Sequence, residues 1–173
     1  MATYAKGYKK QSGEQILLKT IVGIIVTVVG IVLAVFLYDL LTVTTSYDDF
    51  THIEKYDLVL TQKDQANAQV QNYLIYFYSE SCTACQSIKN DALETVGKIN
   101  EDGKVVYFVD STKITETTAG DRDAFLAAID ESSIRTPMLV AVVDGVFYRA
   151  YVGSTAVTEV LNQVDLGTYQ PFN

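Results

Sequence analysis

"YFYSESCTACQSIK", residues 76–89, carries both cysteines of the 173-residue chain, Cys82 and Cys85, three positions apart. The run that leads into them, YLIYFY (73–78), is almost wholly apolar and aromatic, as in a strand covered on both faces. Beyond them Ile88, Ala92, Val96 and Ile99 recur at helical spacing, which predicts a helix running toward Ile99. Cys82 thus falls where a strand gives way to a helix, and Cys85 lies one turn inside. First-turn N–H groups and the helix dipole would favour a thiolate at Cys82, below the free value of about 8.5. Cys85, deeper, would be placed to attack a mixed disulfide. An exposed nucleophile beside a shielded resolving thiol is what thiol–disulfide exchange requires.

Two other readings of the pair have to be weighed. A zinc site needs two further ligands, and the chain has no other cysteine and one histidine, His52, so no metal is expected. An inert structural disulfide is the stronger rival. A bridge closing so short a loop removes little chain entropy, so it would be a weak staple.

Outward from the motif the pattern stays regular. KVVYFVD (104–110) reads as a second interior strand. A threonine-rich loop leads to a helix capped by Asp121 that buries Phe125, Leu126 and Ile129. In TPMLVAVVDGVFYRAYVG (136–153), Asp144-Gly145 joins two apolar runs, the signal of a tight antiparallel hairpin. A last helix starts near Ser154 and buries Val157, Val160, Leu161 and Val164. Upstream, DLVL (57–60) reads as a strand, and Thr61 with Asp64 as the capping box of a helix. The resulting order, βαβαβαββα, predicts an α/β fold: a mixed sheet with helices on both faces.

With CTAC after a strand and IRTP (134–137) before the hairpin, residues 56–166 resemble the thioredoxin superfamily over its whole fold. The resemblance implies a cis peptide before Pro137, facing the dithiol, and a Thr136 that pairs with the backbone of a bound substrate. It implies Cys82 as nucleophile and Cys85 as resolving thiol, with no cofactor beyond their reversible disulfide. The chain is also similar to small extracytoplasmic thioredoxin-like proteins of Gram-positive bacteria, including the bacteriocin transport accessory type. It departs from the thioredoxin motif at Ser81 and at Thr83-Ala84, and it has no tryptophan. Tyr76 stands where the family carries a buried aspartate, which argues against a general cytosolic-type reductase. Glu80, two residues before Cys82, is the nearest carboxylate and a candidate to tune it.

The amino-terminal third has a different character. TIVGIIVTVVGIVLAVFLY (20–38) carries no charge, and 19 helical residues span about 29 Å, close to a bilayer's hydrocarbon core. The stretch exceeds a signal-peptide core and no small-residue cleavage site follows, so a retained single-pass anchor is expected. Four lysines and one glutamate precede residue 20, whereas 20 acids face nine bases from Asp39 onward. The lysines place the amino terminus in the cytoplasm and the acidic domain outside, where disulfides persist. That acidity excludes a nucleic-acid partner.

The expected organisation is a cytoplasmic tail (1–15), a transmembrane helix (16–38), a tether (39–54) holding a solvated His52, and an extracytoplasmic thioredoxin-like domain (55–173). The expected function is that of a cell-membrane thiol–disulfide oxidoreductase. It would act on exported or membrane proteins through Cys82 and Cys85, with a membrane redox partner. The alternative is a non-catalytic accessory subunit of an export or conjugation-type membrane complex, its disulfide structural or vestigial.

Overall fold

The computed structural model describes residues 13–41, 46–63 and 68–172, and the chain divides into two compact units at residues 44 and 45. The first contains helix α1 (Gly13–Leu41). Its span Leu17–Val35 is long and apolar enough to cross a membrane, and none of it is buried against protein. Even the hydroxyl of Thr27 is satisfied within the helix, donating to the Gly23 carbonyl at 2.9 Å. Residues 13–15, expected in the tail, belong to this helix. The remainder of that tail lies outside the described residues.

The second unit is built on a four-stranded mixed sheet in the order β2-β1-β3-β4. Strand β1 (Tyr73–Tyr78) runs parallel to β2 (Val105–Asp110) and antiparallel to β3 (Met138–Val143), which pairs antiparallel with β4 (Val146–Val152). Helices α2 (Thr83–Glu101), α3 (Asp121–Ala128) and α4 (Ser154–Asp165) complete it. This is the thioredoxin-like mixed sheet flanked by helices.

Strand β1 is buried at every residue, so its two faces feed two separate cores. Leu74, Tyr76 and Tyr78 pack with Leu93, Val96 and Ile99 of α2 and with Val157 and Leu161 of α4. Tyr73, Ile75 and Phe77 pack with Phe125 and Leu126 of α3. The hairpin forms as expected, with Asp144 and Gly145 both at positive φ (52° and 74°), the geometry of a two-residue turn matched to strand twist. At α3 the cap is displaced by one residue. Gly120, at φ 99°, is the N-cap, and Asp121 enters the first turn with its carboxylate accepting the N–H groups of Thr117 and Thr118.

Two expectations fail upstream of β1. DLVL is no strand: Tyr56–Leu58 is a turn of 3-10 helix, with Val59 fully buried and Leu58 exposed. Nor does Thr61 start a helix. Lys63 instead bridges Gln69 in antiparallel fashion, and Val70 N–H donates to the Gln62 carbonyl at 2.9 Å. Asp64 lies outside the described residues. The physical reason is that another segment has taken the open edge of β2. Phe108 N–H donates to Thr51 at 2.9 Å and Ile53 N–H to Phe108 at 2.8 Å, a parallel bridge centred on His52. The tether expected over 39–54 is therefore folded domain from Ser46 on, with Tyr47 and Ile53 buried in the two cores.

Candidate active site

The turn between β1 and α2 is shaped by short polar side chains. Ser79 Oγ accepts the Ser81 N–H at 3.3 Å and lies 3.0 Å from the Ser81 hydroxyl, an ordered serine turn. It delivers Cys82 to the N-cap of α2 in extended backbone conformation (φ −80°, ψ 112°). There its sulfur replaces the oxygen of an ordinary cap, accepting the Cys85 N–H at 3.1 Å. As a thiol it also donates to the Thr136 carbonyl at 3.4 Å. The Thr136–Pro137 peptide is cis, at the start of β3 beside β1. The structure thus brings together Cys82, Cys85 and Thr136-Pro137 from three separate stretches of chain.

The two thiols, both free, differ in environment. Cys82 is partly exposed and Cys85 is fully buried. Burial alone would raise the Cys82 pKa. Hydrogen bonds from the Cys85 thiol, from Thr136 and from the N–H groups of Cys85 and Ala84 outweigh it, and the thiol sits below its ordinary value. For Cys85, burial dominates and its neighbour Cys82 adds to it, and the thiol is pushed up to about 11. The sulfur at the surface is shifted toward the thiolate, and the one in the core toward the thiol.

Glu80 is not drawn toward the sulfurs. Its carboxylate is exposed and faces Lys113 at 3.6 Å, while Lys113 makes a closer pair with Asp110 at 3.1 Å. Asp110 ends β2 and is buried, its Oδ1 accepting the N–H and hydroxyl of Thr112 at 2.9 and 2.7 Å. Burial opposes ionisation there, yet the Thr112 bonds and the Lys113 ammonium hold the carboxyl below its usual range. His52 departs furthest from expectation. It is half-buried, its Nε2 lies 2.9 Å from the Tyr78 hydroxyl and its Nδ1 3.0 Å from the Phe50 carbonyl. With Tyr78, Asp110 and Lys113 it lines a cavity of about 420 Å³ at the carboxyl ends of β1 and β2. Neither cysteine lines it. Among the described residues, no group of three His, Cys, Asp or Glu side chains could hold a metal ion.

Sequence reasoning assigned His52 to a solvated tether and passed over Tyr47. Tyr78 and Tyr76 were legible as strand residues, and their period-two spacing put both on the face that α2 covers.

No family model matches the chain, and no curated protein matches it. Solved structures similar to it include mitochondrial thioredoxin 3 of Saccharomyces cerevisiae in its oxidised form, 17% identical. That match covers 69% of this chain and 99% of that one, with a TM-score of 0.46. A thioredoxin mutant of Entamoeba histolytica is 19% identical over 68% of this chain and 98% of its own, also at 0.46. A thioredoxin of Plasmodium falciparum is 13% identical, covering 65% and 97%, at 0.44.

Proposed function

We propose that this chain is a membrane-anchored thiol–disulfide oxidoreductase acting on exported or membrane proteins. The observation that carries the reading is the asymmetry of the pair. Cys82 is partly exposed, hydrogen-bonded at a helix N-cap and shifted toward the thiolate, while Cys85 is fully buried and held protonated. A structural disulfide has no use for one activated and one shielded sulfur; exchange needs both.

In the reductive direction the Cys82 thiolate attacks a client disulfide. One client sulfur leaves with the electron pair of the broken bond and takes a proton, and Cys82 is left in a mixed disulfide. Cys85 then loses its proton and attacks the Cys82 sulfur. The second client thiolate departs, and the Cys82–Cys85 disulfide remains. The oxidative direction runs these steps in reverse. Thr136 and Pro137 flank Cys82 and form the face on which the client backbone lies, next to the attacked sulfur. Electrons pass through the sulfurs alone, so each turnover ends with a second dithiol–disulfide partner in or near the membrane. α1 is the anchor, the lysine-bearing end cytoplasmic and the acidic domain outside.

Trapping tests the reading. A Cys85→Ser chain expressed in a bacterial membrane should accumulate mixed disulfides with client proteins on Cys82, resolved as thiol-sensitive bands on non-reducing gels. If that variant traps nothing, and a Cys82→Ser, Cys85→Ser chain still restores a deletion strain, the domain is a binding module of a membrane complex and the exchange reading is wrong.

A further inference from the structure

The cavity of about 420 Å³ at the carboxyl ends of β1 and β2 takes no part in the sulfur chemistry, yet it adjoins the turn that carries it. Tyr78, the last residue of β1, lines it, and the serine turn that delivers Cys82 follows directly. Lys113, also in the lining, pairs with Glu80 of that turn at 3.6 Å. The Ser111 N–H donates to the Tyr78 carbonyl at 2.9 Å and holds the loop after β2 against the same turn. Cys82 is four residues beyond Tyr78, so their Cα atoms are at most about 14 Å apart.

What the cavity lacks is a spare donor. The Phe50 carbonyl only accepts, so His52 Nδ1 carries a proton and donates it there at 3.0 Å. In the neutral ring Nε2 is then an acceptor, and it takes the Tyr78 hydroxyl at 2.9 Å. The Lys113 ammonium is committed to Asp110 at 3.1 Å and to Glu80. The N–H and hydroxyl of Thr115 both go to the Glu54 carbonyl. Acceptors are what remain. Asp48 and Glu54 are exposed residues of the lining, and among the described residues neither carboxylate makes an ion pair. With Asp110 they set three negative charges against the single ammonium of Lys113. Ile53 and Ile114 add apolar wall. A cavity whose donors are spent, and whose carboxylates stand beside apolar surface, suits a side chain with an aliphatic stem and a cationic, donor-rich head.

Resting on the exchange reading above, we propose that this cavity is a client subsite that takes an arginine or lysine side chain close in sequence to the client's reactive cysteine. Thr136-Pro137 lie on the β3 side of β1 and the cavity on the β2 side, so a client strand crossing Cys82 meets both. An extended strand advances about 3.3 Å per residue, which puts the basic residue about two to four positions from the cysteine. Asp48 and Glu54 receive the charged head, and Ile53 and Ile114 the stem. From Asp39 onward the chain carries 20 acids against nine bases, a field that draws a cationic segment of polypeptide toward the site.

The test measures binding apart from chemistry. The probe is a fluorescein-labelled peptide of about ten residues with serine in place of the client cysteine and arginine about three residues to either side, a spacing set by the strand rise. Its twin carries citrulline at those places, with the same shape and no charge. Anisotropy is followed on titration with the full reduced chain in detergent micelles at low salt. The arginine peptide should bind about tenfold more tightly than its twin. Asp48→Asn with Glu54→Gln should erase that preference. Glu101→Gln with Asp102→Asn makes the same change of charge at the carboxyl end of α2 and should leave it intact. All four residues are exposed, so the thermal midpoint should hold in both variants. Equal affinity for the two peptides, or binding of neither, overturns the proposal, and this comparison needs no altered protein. A preference that both double variants weaken alike also overturns it, since overall acidity would then be the cause. The probe has no cysteine. A cavity-dependent preference together with failed trapping would therefore leave the subsite standing and remove the exchange reading instead.

Discussion

At Cys82 the departure from an ordinary thiol has a direct consequence for reactivity. Its pKa lies below the usual value, so the thiolate persists to lower pH than in a free cysteine. A Cys85→Ser chain should be alkylated with a pH midpoint under about 8.5. Losing the Cys85 side chain removes one of the stabilising hydrogen bonds, but those from backbone N–H groups remain. A midpoint at or above 8.5 would contradict the N-cap geometry. Stabilising the reduced form at one sulfur moves the pair toward oxidising behaviour. Equilibration of the intact chain with glutathione buffers should therefore give a reduction potential between about −120 and −270 mV. A value below about −300 mV would mark a stable structural bridge. Asp110 acts at this scale too, by linkage. Its folded pKa is depressed, so its contribution to stability is complete above the unfolded carboxylate value and is lost as pH falls through the folded one. Asp110→Asn should lower stability at neutral pH and flatten the acid limb of the urea-denaturation midpoint below about pH 4.

The element with the most to test is the segment 46–55, whose residues 51–53 pair along the open edge of β2. If it were a solvated tether, substitutions in it would change stability by less than about 0.5 kcal/mol. Packed as it is, Ile53→Ala should cost about 2–4 kcal/mol, because Ile53 is buried among Tyr73, Tyr107 and Val109. His52→Ala would strip the partner from the buried Tyr78 hydroxyl and cost about 1–3 kcal/mol. Urea denaturation reads both. The choice of segment follows from chain connectivity and packing together. Of residues 51–55 Ile53 alone is buried, and the Thr51 carbonyl and the Ile53 N–H both pair with Phe108 of β2. In DLVL only Val59 is fully buried, and it is seated against the core by a 3-10 turn that also places Tyr56 on Phe125. The β3–β4 turn obeys local rules instead. Gly145→Ala, at φ 74° and with its added Cβ driven against the Gln69 side-chain amide, should cost at least about 1 kcal/mol by the same measurement.

Taken whole, the chain joins an apolar helix to an acidic folded domain. Each unit is shaped by the solvent its surface suits. α1 carries its backbone hydrogen bonds internally and presents Ile, Val and Leu on all sides, which suits hydrocarbon and not water. The chain should fractionate with membranes and resist alkaline extraction. Val26→Arg, at the middle of the span, should weaken insertion by about 2.5–3.5 kcal/mol and shift the chain toward the soluble fraction.

Sequence by itself determined the elements whose signals are local and strong. The uncharged run became α1. The two-faced aromatic run became β1, the 3.6-residue periodicities became α2 and α4, and Asp144-Gly145 became the hairpin turn. The placing of Cys82 on a strand–helix junction, with Cys85 a turn inside, was equally legible, because both cysteines belong to one short stretch. Only tertiary structure decided which segment completes the edge of β2, since several short apolar runs compete for one row of open hydrogen-bond groups. It alone brought Thr136 against the Cys82 sulfur and turned Glu80 away to Lys113. It alone converted His52 from a tether residue into the partner of Tyr78, and stacked Tyr47 on Tyr76 in the core that holds Cys85. The reason is physical. Helix period, turn conformation and apolar length are written over a few residues, whereas burial of a polar group and the identity of its partner depend on residues far apart in the chain that meet only when the core closes.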